Sequence, residues 1–500
     1  MYNNISKDCF KASSSKYSVL TRQIDADLIT PVSVMKNIEV SNLEQSDIFF
    51  YDSVSTSANL QNARYSIITI GYNEKYCFKT QVNISKQINT LVQNIDINSL
   101  GVNLPDFIKS YFFYLSYNST QDIYGVSQLH QKDDINMPDC VMIIPKFILF
   151  FDKLFDKLTI VAIVPKGEEY VNICSRIDNI IKIIQMPLEV RKDKNKYISL
   201  GGPVNKQIYN KEHEIALSNE LKIKLASDTT KQEYCNKVKK AIEYIENGDC
   251  FQIVPSLRFV SEVDDNFEPI EFYRKLRGIN PSPFMFFVKT DGFYLIGSSP
   301  EIMVRLKNSK VTIKPLAGTR QRFNDSIKDK VIAEELLADQ KEVSEHLILL
   351  DLARNDIGMV AKDGSVKVEK KMEVEFYSHV MHISSTVTGL LKDGKTSVDA
   401  MIAGFPAGTL SGGPKTRAMQ IIAQLEGVKR SFYSGCLGYI SKENLETCIM
   451  LRTALVKDGK VYMQAGAGVV HHSQPELEYN ECVNKMMALI KSLYLSKFSS

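Results

Sequence analysis

Residues 284–315 read FMFFVKTDGFYLIGSSPEIMVRLKNSKVTIKP. FMFFV (284–288) and GFYLIG (292–297) form one hairpin pattern around Lys289–Asp291, and VRL (304–306) and KVTIKP (310–315) a second around Lys307–Ser309. Short turns of this kind join antiparallel neighbours, whereas parallel strands need a crossover of roughly a dozen residues or more. The pattern spreads outward from there. Residues 231–247 have helical spacing with Gly248 as a stop, and 251–259 alternate like a strand. Residues 325–350 carry one long helical pattern, with Gly358 shortly past its end. Strand patterns return at VKVEKKMEVEFY, HVMHISSTV, YSGCLGYIS, LETCIMLRTALV and KVYMQAGAGVV, a helix follows TLSGGPK, and 475–494 form a closing helix. Strands joined by short turns, with helices in blocks, predict an α+β fold of antiparallel β-sheets with helices on the outside.

Composition shifts near residue 225, from Ile/Asn/Lys/Ser-rich to glycine-punctuated sequence, so the chain divides as 1–225 and 226–500. A net charge of +3 on 500 residues gives no electrostatic case for nucleic acid. Nine cysteines at irregular spacing, with no CxxC pair, argue against a disulfide framework or a zinc site. The N-terminus is polar, and the most apolar run, CVMIIPKFILFFDKLF, is interrupted by Pro145, Lys146 and Asp152. A soluble, cytoplasmic protein is expected.

Four clusters could carry chemistry. Glu342 and Glu345 share a helix face, as do Glu478 and Glu481, so the two faces together would suit Mg²⁺. Spacing alone equally allows two solvated faces. AGTR (317–320), SGGPKTR (411–417, after Thr409) and AGAG (465–468) bring glycines to strand ends, where backbone N–H groups can approach an anion or simply turn a corner. Arg452 lies in an apolar strand pattern and needs either a substrate carboxylate or an internal acid. His379 and His382, three apart, point to opposite strand faces and make a poor metal pair. SGCLGY (434–439) imitates an amidotransferase nucleophile loop, but no His-x-Glu pair follows; Cys436 reads as a core cysteine.

Taken together, the segments resemble the chorismate-utilising enzymes and, within them, the anthranilate synthase large subunits (component I). The resemblance runs through GDCFQIVPSLRF (248–259), YRKLRGINPSPFMFF (273–287), IGSSPEIMVR (296–305), KPLAGTRQR (314–322), EELLADQKEVSEHLILLDLARNDIG (334–358), YSHVMHISSTVTG (377–389), FPAGTLSGGPKTRAM (405–419), GYISKENLETCIMLRTALV (438–456) and QAGAGVVHHSQPELEYNECVNK (464–485). The N-terminal part matches weakly, at DLITPVSV (27–34) and ARYSIITIG (63–71). The resemblance implies sheets packed face to face, a catalytic 226–500 region, and an N-terminal region carrying a tryptophan regulatory site.

It also implies residue roles. Glu345, Glu478 and Glu481 match the family's Mg²⁺ ligands, with Glu342 alongside. Glu301 matches the general acid, and His382, Thr409 and Gln252 the other catalytic positions. Ala317, Gly318, Thr319, Tyr439, Arg452, Gly466, Ala467, Gly468 and Lys485 match substrate-binding positions. Relatives that add water carry Lys where this chain has Gln252; aminodeoxychorismate synthases, the alternative assignment, often carry Lys where it has Ala317. Gln has no titrating group and suits ammonia, which needs no deprotonation, and Ala cannot act as a covalent nucleophile. The implied reaction is anthranilate formation from chorismate and ammonia, the first committed step toward tryptophan. The implied partner is a separate glutamine amidotransferase subunit, two of each in the assembly. For the inhibitor L-tryptophan the matching positions are Asp52, Ser53, Asn280, Pro281, Phe284, Met285 and Cys448. The segment FYDS (50–53) has Asp where Glu is usual, so weakened or lost inhibition is expected.

Overall fold

The computed structural model describes residues 14–41, 43, 47–54, 64–79, 83–99, 103–128, 131–187, 225–323, 325–377 and 380–497. The expected hairpins form, each with a tighter and later turn. Strands Phe284–Thr290 and Phe293–Ser299 meet at Asp291 and Gly292 (φ 46° and 78°), and Ile302–Lys307 meets Lys310–Ile313 at Asn308 and Ser309 (φ 51° and 58°). Two consecutive left-handed residues give the two-residue turn whose twist matches that of paired strands.

The hairpins belong to a 20-stranded hydrogen-bonded network, with the short pair Gln252–Ile253 and Gly412–Gly413 beside it. Named pairings are antiparallel except for a two-residue parallel contact of Tyr17–Asp25 with Ile97–Asn98. Strands of the 1–225 and 226–500 regions interleave. Ile48–Asp52 pairs with Phe284–Thr290, and Tyr111–Leu115 pairs with Cys436–Ile440. Alternation sends successive side chains to two apolar layers. Phe49, Ile67 and Phe286 enter the layer built mainly of strand residues, while Phe50, Ile68 and Phe287 enter the layer covered by helices. Helices Pro31–Val40, Tyr170–Ile184, Lys231–Glu246, Pro269–Ile279 and Pro475–Lys497 supply that outer cover.

Three sequence expectations change. The helix expected over 325–350 is two helices, Ser326–Ala338 and Gln340–Gly358, so Gly358 ends a helix rather than following one. Asp339 (ψ 105°) ends the first and caps the second, accepting from the Lys341 and Glu342 amides. The strand expected over 251–259 is broken between Gln252–Ile253 and Ser256–Glu262 by the segment holding Pro255. The strand expected over 445–456 is broken into Leu445–Ile449 and Thr453–Lys457, and Arg452 sits in the break at φ 48°. Both breaks line the candidate site. Among the described residues the cysteines are free, and no helix is long and apolar enough to cross a membrane.

Candidate active site

Glu301 follows strand Phe293–Ser299 and is 6% exposed. Its Oε1 accepts from the Leu316 amide (3.3 Å) and its Oε2 from the Thr409 hydroxyl (3.4 Å). Burial pushes its carboxyl up to about 8, outweighing those hydrogen bonds and the nearby Arg452 and Lys485 charges. At neutral pH Glu301 therefore holds a proton to give.

His382 pairs with Thr319 across the ladder beside a register shift at Ala317/Thr319. Its Nδ1 lies 3.0 Å from the Gly318 carbonyl and 3.0 Å from the Thr319 hydroxyl. A carbonyl only accepts, which assigns the proton to Nδ1 and leaves a lone pair on Nε2. That Nε2 is buried with no protein hydrogen bond among the described residues. Burial, with Arg452 nearby, lowers the ring's pKa to about 4, so the imidazole is neutral.

Gln252 is 1% exposed. Its amide Nε2 donates to Glu345 Oε1 (2.9 Å), while its Oε1 is buried without a partner. A Cβ at Gly468 would come within 2.5 Å of Gln252 Nε2 and 2.8 Å of Glu345 Oε1, so a larger residue would push these two side-chain ends aside. Glu345 therefore meets Gln252 across a backbone that approaches closely.

Glu345, Glu478 and Glu481 come together electrostatically. Burial raises Glu345 to about 7, with the Glu481 and Glu342 charges adding to it against Lys485. Burial also raises Glu478, with Glu481 adding to it. Burial pushes Glu481 up too, but its ion pair with Lys485 (2.7 Å) wins and the net shift is downward. Lys485 also donates to the Gly466 carbonyl (2.9 Å). Among the described residues no three acidic or histidine side chains stand at ready metal-holding spacing. The donor chemistry nonetheless fits a hard divalent cation. Crowded, mutually repelling carboxylates are what such an ion relieves, and Mg²⁺ takes only some of its ligands from protein.

Arg452 makes no side-chain hydrogen bond or ion pair among the described residues, and Glu301 is the acid whose charge reaches it. Its charge is felt at Glu301, Tyr377 and His382, and burial lowers its own pKa. Of the other expected positions, Ala317 pairs with Ile383, and the Ala467 amide donates to the Pro255 carbonyl (3.3 Å). His379 lies outside the described residues.

Tyr439 does not join this group. Its hydroxyl donates to Glu446 (3.0 Å), and it lines a separate cavity of about 540 Å³. Asp52, Ser53, Phe284, Met285 and Cys448 line the same cavity; Asn280 and Pro281 are not among its lining residues, and Asn280 instead donates to Ser298 (3.0 Å). The tyrosine beside Gly466 is instead Tyr433, whose hydroxyl would lie 3.0 Å from a Cβ there. Sequence reading missed it because Tyr433 precedes the strand it was assigned to, and only the chain reversal before Cys436–Ile440 turns it toward Gly466.

The sequence profile of the chorismate binding enzymes matches residues 49–491. The chain belongs to this family. It is 38% identical to anthranilate synthase component 1 of Acetivibrio thermocellus over 97% of each chain, and 50% identical to that of Aquifex aeolicus over 55% of each. Among solved structures it is similar to anthranilate synthase component I from Streptococcus pneumoniae, at TM-score 0.71 and 30% identity, covering 87% of this chain and 93% of that one. The menaquinone-specific isochorismate synthase of Escherichia coli, at TM-score 0.69 and 16% identity over 96% and 95% of the two chains, shares the fold. Family membership accounts for the antiparallel α+β architecture.

Proposed function

We propose that this chain is the chorismate-binding subunit of an anthranilate synthase, converting chorismate and ammonia to anthranilate and pyruvate. The observation that carries the reading is a protonated Glu301 under the same Lys485 charge that acts on Glu345, the hydrogen-bond partner of the non-titrating Gln252. Glu301 protonates the departing C4 hydroxyl, which leaves as water while ammonia bonds to ring carbon C2. Gln252 Oε1, which has no protein donor, accepts an N–H of the incoming ammonia. No base is needed for that nucleophile, in contrast to water. In the second stage the C2 proton is lost, the ring C3–O bond to the enolpyruvyl group breaks, the ring becomes aromatic, and the released enolpyruvate takes up a proton on its methylene carbon to leave as pyruvate. His382 Nε2, neutral and unpartnered, suits proton acceptance close to the ring.

Arg452 and Lys485, with the glycine segment Gly466–Gly468, hold the substrate's carboxylates. Glu345, Glu478 and Glu481 would hold Mg²⁺, which when bound neutralises the ring carboxylate and supplies electrostatic stabilisation. Ala317 offers no amine for covalent catalysis, which disfavours aminodeoxychorismate synthesis.

Ammonia is supplied by a separate glutamine amidotransferase subunit. The purified chain alone should therefore form anthranilate with ammonium and Mg²⁺, and none with glutamine until that subunit is added. Glutamine-driven product from the pure chain would reject the division of labour.

The second cavity suits an aromatic amino acid, with Tyr51, Tyr65, Phe107, Phe284 and Tyr439 in its walls. Of the acids in its walls, Asp52, the one at the expected inhibitor position, is already engaged. Asp52 accepts from Ser66 (2.5 Å), Lys153 (3.1 Å), Arg277 (2.8 Å) and Tyr273 (3.4 Å), which fills a carboxylate's capacity. A ligand ammonium would have to displace one of these donors, so tryptophan inhibition should be weak. The chain contains no tryptophan, so binding can be followed by the ligand's own fluorescence. The expected result is no saturation below roughly millimolar ligand, equivalent to no more than about 4 kcal/mol of binding. Micromolar saturation with matching inhibition would show that Asp52 is replaceable in this role.

A further inference from the structure

Behind the catalytic group, Glu426 and Arg430 form an ion pair with side chains 3% and 1% exposed. All five N–H groups of Arg430 are used. Nε donates to Glu426 Oε2 (2.9 Å) and Nη2 to Glu426 Oε1 (2.7 Å) and the Val254 carbonyl (2.5 Å), while Nη1 donates to the Leu410 carbonyl (2.8 Å) and Ser434 Oγ (3.2 Å). The guanidinium also lies over the Tyr433 ring at 5.4 Å and the Tyr117 ring at 4.9 Å. Glu426 Oε1 accepts from both the amide and the hydroxyl of Ser256, at 2.8 Å each.

The partners have one thing in common. Val254 stands two residues from Gln252, Leu410 next to Thr409, and Ser434 next to Tyr433. Ser256 is the ladder partner of Gly466. We propose that the Glu426–Arg430 pair is a positioning device that fixes the chain segments carrying Gln252, Thr409 and Tyr433 relative to one another and, through the Ser256 ladder position, the strand carrying Gly466. Stability does not explain it well. A buried ion pair gains little over an apolar replacement of similar volume, because desolvating both charges offsets their attraction. What an apolar pair cannot do is hold the Val254 and Leu410 carbonyls, the Ser256 and Ser434 hydroxyls and the Ser256 amide at fixed distances. Val254 lies in the break before Pro255 and Leu410 in the single-turn helix Gly408–Ser411, where regular hydrogen bonding is too short to set a position. Arg430 acts through these backbones and touches no reacting atom.

The proposal rests on the anthranilate-forming reading above, so wild-type protein is assayed alongside. If wild type makes no anthranilate, that reading fails first; if it does, the variants test this inference alone. Two variants are informative. Arg430→Lys keeps the charge against Glu426 but has three donors instead of five. The double variant Glu426→Gln/Arg430→Met removes both charges together, so neither is left buried and unpaired. In each, the expected result is a cooperative melt near that of wild type and kcat lowered roughly 100-fold, the effect of a misplacement on the order of 1 Å. The alkaline limb of kcat should also move, because the Thr409–Glu301 hydrogen bond depends on the segment that Leu410 anchors. A folded variant with wild-type kcat and an unmoved limb would overturn the proposal. Should both variants fail to fold, Ser256→Ala removes one hydroxyl from the hub with little loss of packing. A several-fold fall in kcat at unchanged melting temperature is then expected, and unchanged kcat would overturn the proposal.

Discussion

Glu301→Gln should lower kcat for anthranilate formation by roughly 10³-fold while leaving the KM for chorismate within a small factor. Gln fills the same buried space and can still face the Leu316 amide and the Thr409 hydroxyl, so binding and fold are preserved. It cannot release a proton to the C4 hydroxyl. The wild-type pH profile carries the same information with a definite sign. Glu301 is pushed up to about 8 by burial, so the acid form predominates below that pH and is lost above it. With free ammonia held constant, kcat should fall as pH rises through about 8. The small residual rate of the variant should not share that limb. A variant that keeps wild-type kcat, or one with the same alkaline limb, would remove Glu301 as the acid.

Glu478→Gln is the second large effect, and it runs in opposite directions for activity and stability. Glu478 is 2% exposed, and burial together with the Glu481 charge raises its pKa. At neutral pH, above its unfolded value, an ionised Glu478 is less favourable in the fold than in water, so its charge costs stability. Gln removes that cost, and the metal-free variant should melt at a higher temperature than wild type. Its Mg²⁺ requirement should rise at least ~10-fold. Loss of a group merely supporting a metal ligand costs 10- to 100-fold, and loss of a ligand should cost no less. Unchanged Mg²⁺ dependence would dismiss the carboxylate group as the metal site. A lower melting temperature would mean that Glu478 is satisfied as an anion within the fold.

The fold was legible in the sequence where its signals were local. The apolar runs on either side of Lys289–Asp291 and Lys307–Ser309 pointed to antiparallel pairing, and helical spacing over 231–247 with Gly248 as a stop marked the helix Lys231–Glu246. Breaks inside elements were not legible. Asp339 looked like one more polar residue on a helix face, and Arg452 looked like a strand residue, because a left-handed φ leaves no mark on hydropathy. The candidate site residues were picked out by matching motifs rather than by spacing. Glu301, Glu345, Arg452 and Glu478 are far apart in sequence, and only the strand order brings them together. Tyr439 was misplaced and Tyr433 missed for one reason: six residues separate them across a chain reversal, and periodicity does not report which side of a reversal faces which cavity. The charge at Asp52 was read correctly, but its occupation by Ser66, Lys153, Arg277 and Tyr273 is a tertiary fact.

The most direct test of the central claim is product identification by mass spectrometry after incubating the purified chain with chorismate, ammonium and Mg²⁺. Anthranilate and pyruvate in equal amounts, with no product when Mg²⁺ is chelated, is the expected result. A product that retains the enolpyruvyl group, whether aminated or hydroxylated, would contradict the assignment.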